Sequence, residues 1–86
     1  MRYTVKVTSS MITNGYHTTN DCPIAIGLKR AGFTYVTVCE AFVKVRSNNR
    51  TWFAHTSYKA QDFIERYDAR LPVKPDIFRF DFHEAE

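Results

Sequence analysis

The sequence has few of the features that mark several large classes of protein. No apolar run approaches the roughly 20 residues that a membrane-spanning helix needs. The N-terminal residues Met1–Ser10 alternate polar and apolar side chains and lack the continuous apolar segment of a signal peptide. Only two cysteines are present, Cys22 and Cys39, and without secretion we expect reduced thiols rather than a disulfide. These absences predict no membrane partner and a cytoplasmic location.

The same scarcity removes the usual signatures of cofactor and metal sites. The three glycines, Gly15, Gly27 and Gly32, are too widely spaced to form a phosphate-binding loop. The residue types that zinc prefers do not lie at the short separations of a zinc finger; they are His17, Cys22, Cys39, His55 and His83. We therefore expect neither a cofactor nor a metal.

Length and composition predict one domain over residues 1–86. Of the 86 residues, 44% are hydrophobic and 24% are charged, which is close to the average for globular domains. Aromatic residues make up 15% of the chain. Because each ring buries a large area, aromatic residues suit a chain that is too short to form a large core. No linker, internal repeat or low-complexity stretch divides the chain.

Charge is unevenly distributed around a formal net charge of +3. Basic residues dominate from Lys29 to Arg50, where only Glu40 is acidic. Acidic residues dominate the C-terminal end, where they are Asp76, Asp81, Glu84 and Glu86. The basic stretch could attract phosphate or an acidic protein surface, or it could be a solvated edge that keeps the domain monomeric.

Hydrophobic periodicity and turn residues predict the order of the elements. In chain order they are a strand over Arg2–Thr8, a serine-capped helical turn over Ser9–Gly15, a helix that begins at Asp21-Cys22-Pro23 and ends at Gly32, strand residues over Phe33–Arg46, a hairpin turn at Ser47–Arg50, a returning strand over Thr51–Thr56, a helix from Ser57 to about Ala69, and a strand over Ile77–Phe82. The alternation within Phe33–Arg46 slips around Cys39-Glu40-Ala41, which predicts either a bulge or two short strands.

The resulting β-α-β-β-α-β order predicts an α+β fold. We expect a small two-layer sandwich, in which two helices cover one face of an antiparallel sheet. A ferredoxin-like domain has this order of elements, although other α+β layouts share it. The sequence therefore predicts the fold class, and it leaves the order of the strands in the sheet open.

The sequence resembles a loose set of short uncharacterised proteins encoded by tailed phages and prophages. The residues that carry the resemblance are the early valine-rich strand, Cys22-Pro23-Ile24-Ala25, Gly32-Phe33, Phe63-Ile64-Glu65-Arg66-Tyr67-Asp68, Val73-Lys74-Pro75 and Phe78-Arg79-Phe80. Tyr67 stands where such proteins often have Phe. The resemblance implies an accessory protein that acts in a bacterial host cytoplasm, and it assigns no catalytic or binding residues.

One cysteine is a candidate nucleophile. Cys22 lies at a predicted helix N-terminus, where the helix dipole can lower the pKa of a thiol. Asp21 beside it opposes this effect, and no redox motif frames the cysteine. A small buried cap residue is the alternative interpretation, so we expect that the protein is not an enzyme.

Binding is the remaining class of function, and its predicted surface is the hairpin. There, charged and aromatic side chains occur together as Arg46, Arg50, Trp52 and His55, which are residue types that anchor interfaces. The preferred hypothesis is that the protein binds and modulates a host protein, such as a defence or nucleic-acid-processing factor. The alternative is RNA or single-stranded DNA, bound by a basic and aromatic sheet face that would add Lys44 and Arg79. Trp52 and the adjacent Phe53 could also divide between the core and the surface.

Overall fold

The computed structural model describes residues 1–85, and Glu86 of the acidic end lies outside them. The elements are β1 (Arg2–Val7), α1 (Ser9–Asn14), α2 (Pro23–Arg30), β2 (Thr34–Val38), β3 (Phe42–Ser47), β4 (Arg50–His55), α3 (Tyr58–Asp68), β5 (Asp76–Asp81) and β6 (His83–Glu84). Three helices and six strands in antiparallel sheets make up the described residues, so the predicted α+β class is confirmed.

The strands pair as two antiparallel sheets. One contains β1 and β5, and the other has the order β2-β3-β4-β6. The two sheets are continuous through the chain at Phe82, because β5 pairs with β1 while β6 pairs with β4. In a ferredoxin-like sheet the first strand lies inside the sheet, whereas here β1 pairs with β5 alone. The observed pairing is thus one of the other layouts that share this order of elements.

The helix boundaries follow the signals of the sequence with one exception. Cys22 caps α2, Pro23 is its first residue, and Gly32 follows its end with a φ of 103°, a conformation that glycine adopts without steric cost. The Ser57 side chain caps α3 by accepting from the Ala60 N–H. The serine cap predicted for α1 is wrong, because the side chain that accepts from the Met11 N–H belongs to Thr8.

The slip in alternation predicted around residue 40 is a break between two strands. Strand β2 ends at Val38 and β3 begins at Phe42. A two-residue turn then joins β3 to β4, in which Asn48 and Asn49 have φ values of 55° and 63°. Positive φ at both central residues is the type I′ geometry that matches the twist of a hairpin, so the predicted turn is confirmed.

The core lies between the helices and one face of the sheets. Helix α2 packs on β1 and β2, and α3 packs on β5 through Phe63, whose ring centroid lies 5.1 Å from that of Phe78. Along β5 the inward side chains are buried phenylalanines, and along β3 they are valines. The residues that alternate with them are exposed. No helix within residues 1–85 is long and apolar enough to cross a bilayer.

Candidate functional site

The structure separates the four residues predicted to bind a partner. All four lie on β3 or β4; they are Arg46, Arg50, Trp52 and His55. Arg46 and His55 are exposed on the side of the sheet that faces away from the helices. Trp52 pairs with the fully buried Val45 and packs against the core, and its Nε1 donates to the Ser47 carbonyl oxygen at 3.4 Å. Partner binding by these residues stays a prediction, and the structure takes Trp52 off the exposed face.

Phe53 is the aromatic residue of β4 that faces solvent. It lies in a row of exposed or half-buried side chains that crosses four strands, formed by Thr37, Lys44, Phe53 and His83. The sequence held a signal for this placement. Residues paired across a hairpin share a face, so the inward Val45 requires an inward Trp52 and an outward Phe53.

An aromatic pair forms the centre of this surface, which we call the outer sheet face. Phe42 and Phe53 are each 38% exposed, and their ring centroids lie 6.0 Å apart with a tilt of 55°. Together with His55 and His83 they line a shallow hollow. Large apolar side chains left exposed side by side are typical of an interaction site, and each ring here still has area to bury against a partner.

Two cations lie beside exposed rings of the outer sheet face. Lys44 Nζ lies 5.8 Å from the centroid of Phe53, and the Arg46 guanidinium lies 5.6 Å from the centroid of Tyr35. At these distances each cation is attracted to the ring face. Tyr35 is 77% exposed and has a φ of 47° beside an irregularity in the β2–β3 register. Positive φ is strained for a bulky residue, and here it accompanies the placement of Tyr35 against Arg46.

The positive charge of the outer sheet face is largely uncompensated. Among residues 1–85, neither Lys44 nor Arg46 forms an ion pair with a carboxylate within 4.0 Å. Arg50 differs, because its Nε lies 3.4 Å from Glu84 Oε1 at the rim. The cations beside the aromatic pair are therefore free to meet an acidic group on a partner, whereas the charge of Arg50 is partly neutralised.

The candidate nucleophile Cys22 lies elsewhere, buried at the N-terminus of α2. Burial raises the pKa of its thiol, and the negative charge of Asp68 adds to this increase. The backbone N–H groups of Ile24 and Ala25 favour the thiolate but do not offset burial. A thiol is a much weaker nucleophile than a thiolate, so burial outweighs the activation that the helix N-terminus could supply. Tyr67 lies near Cys22 and stacks against His17, with ring centroids 4.5 Å apart.

The residue types that could bind a metal remain dispersed. Within the part of the chain that the structure describes, no three His, Cys, Asp or Glu side chains come close enough to hold an ion. His55 and His83 both border the Phe42–Phe53 hollow. In the outer sheet face, these two histidines therefore form the polar edges of an aromatic surface.

Comparison with protein-family models, with curated proteins and with solved structures finds no match to this chain.

Proposed function

We propose that this protein acts by binding a partner protein through the outer sheet face. The observation that carries the proposal is the exposed Phe42–Phe53 pair with Lys44 beside it, a cation that forms no ion pair among the residues the structure describes. Interfaces commonly have an aromatic centre that loses water on binding and a polar rim that gives specificity. The outer sheet face has this arrangement, with Lys44 and Arg46 in the position of the rim.

The charge of the surface indicates the kind of partner. Because neither Lys44 nor Arg46 forms an ion pair with a carboxylate of residues 1–85, the complementary surface should present acidic side chains around an apolar centre. We propose a bacterial host protein as this partner, since the resemblance to proteins of phages and prophages implies action in a host cytoplasm. A small protein that covers such a surface would modulate or inhibit the host protein by blocking it.

RNA or single-stranded DNA is the second candidate partner. The observation that favours it is that two cations each lie beside an exposed ring on one open antiparallel sheet. Lys44 lies beside Phe53, and Arg46 lies beside Tyr35. Nucleic-acid-binding sheets use exposed rings to stack bases and neighbouring cations to contact phosphates. Arg79 is exposed on β5, between two buried phenylalanines, and would add a further cation for contacts with phosphates.

A capture experiment with matched variants distinguishes the candidates. The tagged protein is incubated with bacterial lysate in nuclease-treated and untreated halves, and the bound material is identified by mass spectrometry and by absorbance at 260 nm. Phe53→Ala tests the outer sheet face. Tyr58→Ala is its control, because Tyr58 is 89% exposed at the start of α3 and lies off that face.

The outcomes separate as follows. A protein that survives nuclease, is lost with Phe53→Ala and is kept with Tyr58→Ala supports the proposal. Nucleic acid in the untreated sample alone, again lost with Phe53→Ala, favours the second candidate. Equal capture by Phe53→Ala and the wild-type protein contradicts both. Trp52→Ala does not serve here, because Trp52 packs against the core and its loss alters stability.

A further inference from the structure

Strand β1 has an edge whose backbone groups point away from the sheet. The Met1 amino group donates to the Phe82 carbonyl oxygen at 2.8 Å, and the Phe82 N–H donates back to Met1 at 2.6 Å. Hydrogen-bonded and non-bonded pairs alternate in an antiparallel ladder, so Tyr3, Val5 and Val7 bond to β5. The N–H and C=O groups of the residues between them, Arg2, Thr4 and Lys6, therefore point outward.

Within residues 1–85 this edge has no hydrogen-bonded neighbour, whereas the opposite edge is partly closed. Among residues 1–85, β1 has no second strand neighbour, and no other group bonds to the backbone of Arg2, Thr4 or Lys6. At the outer edge of β2, by contrast, the Val38 N–H donates to the Thr19 carbonyl oxygen at 2.8 Å. A loop thus protects the β2 edge, and β1 presents a row of unsatisfied donors and acceptors.

The side chains of the edge carry one sign of charge. Arg2 and Lys6 are exposed on either side of Thr4, and Arg79 pairs directly with Thr4 from β5. Within the described β1–β5 register, Asp81 lies opposite Arg2 and is the acid paired with this group. Antiparallel pairing of two copies centred on Thr4 would set Arg2 against Lys6 of the second chain, and like charges directly opposite are destabilising.

We infer that the free edge of β1 accepts an extended acidic segment of a partner protein as an added strand. The exposed backbone groups would supply the hydrogen bonds, as in other cases of strand addition. Carboxylates four residues apart on one side of the segment would lie opposite Arg2 and Lys6. This edge is separate from the Phe42–Phe53 pair, so the inference does not depend on the proposed function.

The direct test uses two synthetic peptides and backbone amide signals. The first peptide is acetyl-Thr-Val-Glu-Val-Thr-Val-Glu-Val-Thr-amide, and the control has lysine in place of both glutamates. In the free protein, the amides of Thr4 and Lys6 should exchange with solvent faster than those of Tyr3 and Val5. The acidic peptide should slow exchange at Thr4 and Lys6 at least tenfold, and the lysine peptide should not. Equal effects of both peptides, or none, would overturn the inference.

Two variants test the edge from the side of the protein. Thr4→Pro removes an outward N–H that the β1–β5 ladder does not use, and proline is tolerated at such edge positions; Thr4→Val keeps the donor as a control. We expect peptide binding to weaken at least tenfold with proline alone. The double variant Arg2→Glu, Lys6→Glu should reverse the peptide preference, so that the lysine peptide binds and the acidic peptide does not. If Thr4→Pro does not fold, an unchanged peptide preference in the charge-reversed variant still refutes the inference.

Discussion

Replacing Gly27 with alanine tests a close contact between α2 and β1. Gly27 is buried inside α2, which packs on β1. A Cβ built at Gly27 would lie 2.5 Å from Cγ1 of Val5, well inside van der Waals contact. Val5 is 2% exposed and is β-branched, so its side chain has little freedom to turn away.

Two effects of opposite sign decide the result. Alanine in a helix interior is favoured over glycine by about 0.5–1 kcal/mol. Overpacking a rigid core costs about 1–3 kcal/mol. We therefore expect Gly27→Ala to lower the free energy of unfolding by about 1–2 kcal/mol, with Tm falling by about 4–8 °C for each kcal/mol.

The partner substitution Val5→Ala should reverse the sign. Without Cγ1, the nearest atoms to the added Cβ are Met11 Sδ at 3.9 Å and Val5 Cβ at 4.0 Å, which are ordinary contacts. In that background Gly27→Ala should stabilise by about 0.5–1 kcal/mol, giving a coupling energy of about 1.5–3 kcal/mol. Urea denaturation of the four proteins measures each value. A stabilising Gly27→Ala in the wild-type background, or additive effects, would refute the packing of α2 on β1.

Three further predictions concern the core, the thiols and the response to acid. Phe63→Ala should lower the free energy of unfolding by about 3–5 kcal/mol by leaving a cavity under α3, and an unchanged Tm would contradict that packing. With iodoacetamide at neutral pH, the half-buried Cys39 should react before the buried Cys22; equal rates would mean that Cys22 is open to solvent. The hydrogen bond from Lys59 lowers the pKa of the Asp76 carboxyl, so its stabilising effect is present above about pH 4 and is lost as pH falls through the folded-state pKa. Asp76→Asn should then have a lower free energy of unfolding than the wild-type protein at pH 7, and the two values should converge in acid. A difference that does not change with pH would exclude the Lys59–Asp76 pair.

The local elements of this fold could be predicted because short-range signals specify them. Pro23 and Gly32 mark the two ends of α2 by backbone geometry alone, and Asn48-Asn49 marks the hairpin in the same way. The neighbours of β1 could not be predicted. Alternation in Arg2–Val7 identifies which side chains face the core, but any strand with a matching apolar face can lie beside it. The pairing with β5 depends on how the last strand bends at Phe82 to contact both β1 and β4.

The candidate surface was only partly predictable for a related reason. The residue types of the hairpin indicated binding, but they did not by themselves separate its two faces. Trp52 is the most interface-like residue of the segment, and it packs against the core because it pairs with Val45. Tyr35 could not have been assigned from its position, since its outward placement depends on an irregular backbone with positive φ.

The two proposed contact regions follow from how the fold divides its charges. The helices cover one face of the sheets, and the exposed surface of α3 carries the acids Asp62, Glu65 and Asp68 together with the cations Lys59 and Arg66. The opposite face and the β1 edge carry cations that outnumber their acidic neighbours; they are Arg2, Lys6, Lys44, Arg46 and Arg79. Within the net charge of +3, charges of both signs therefore nearly balance on α3, whereas cations outnumber acids on the opposite face and at the β1 edge. An acidic partner would be guided to the side where both the exposed rings and the free backbone groups lie, so the two regions could engage different parts of the same acidic protein.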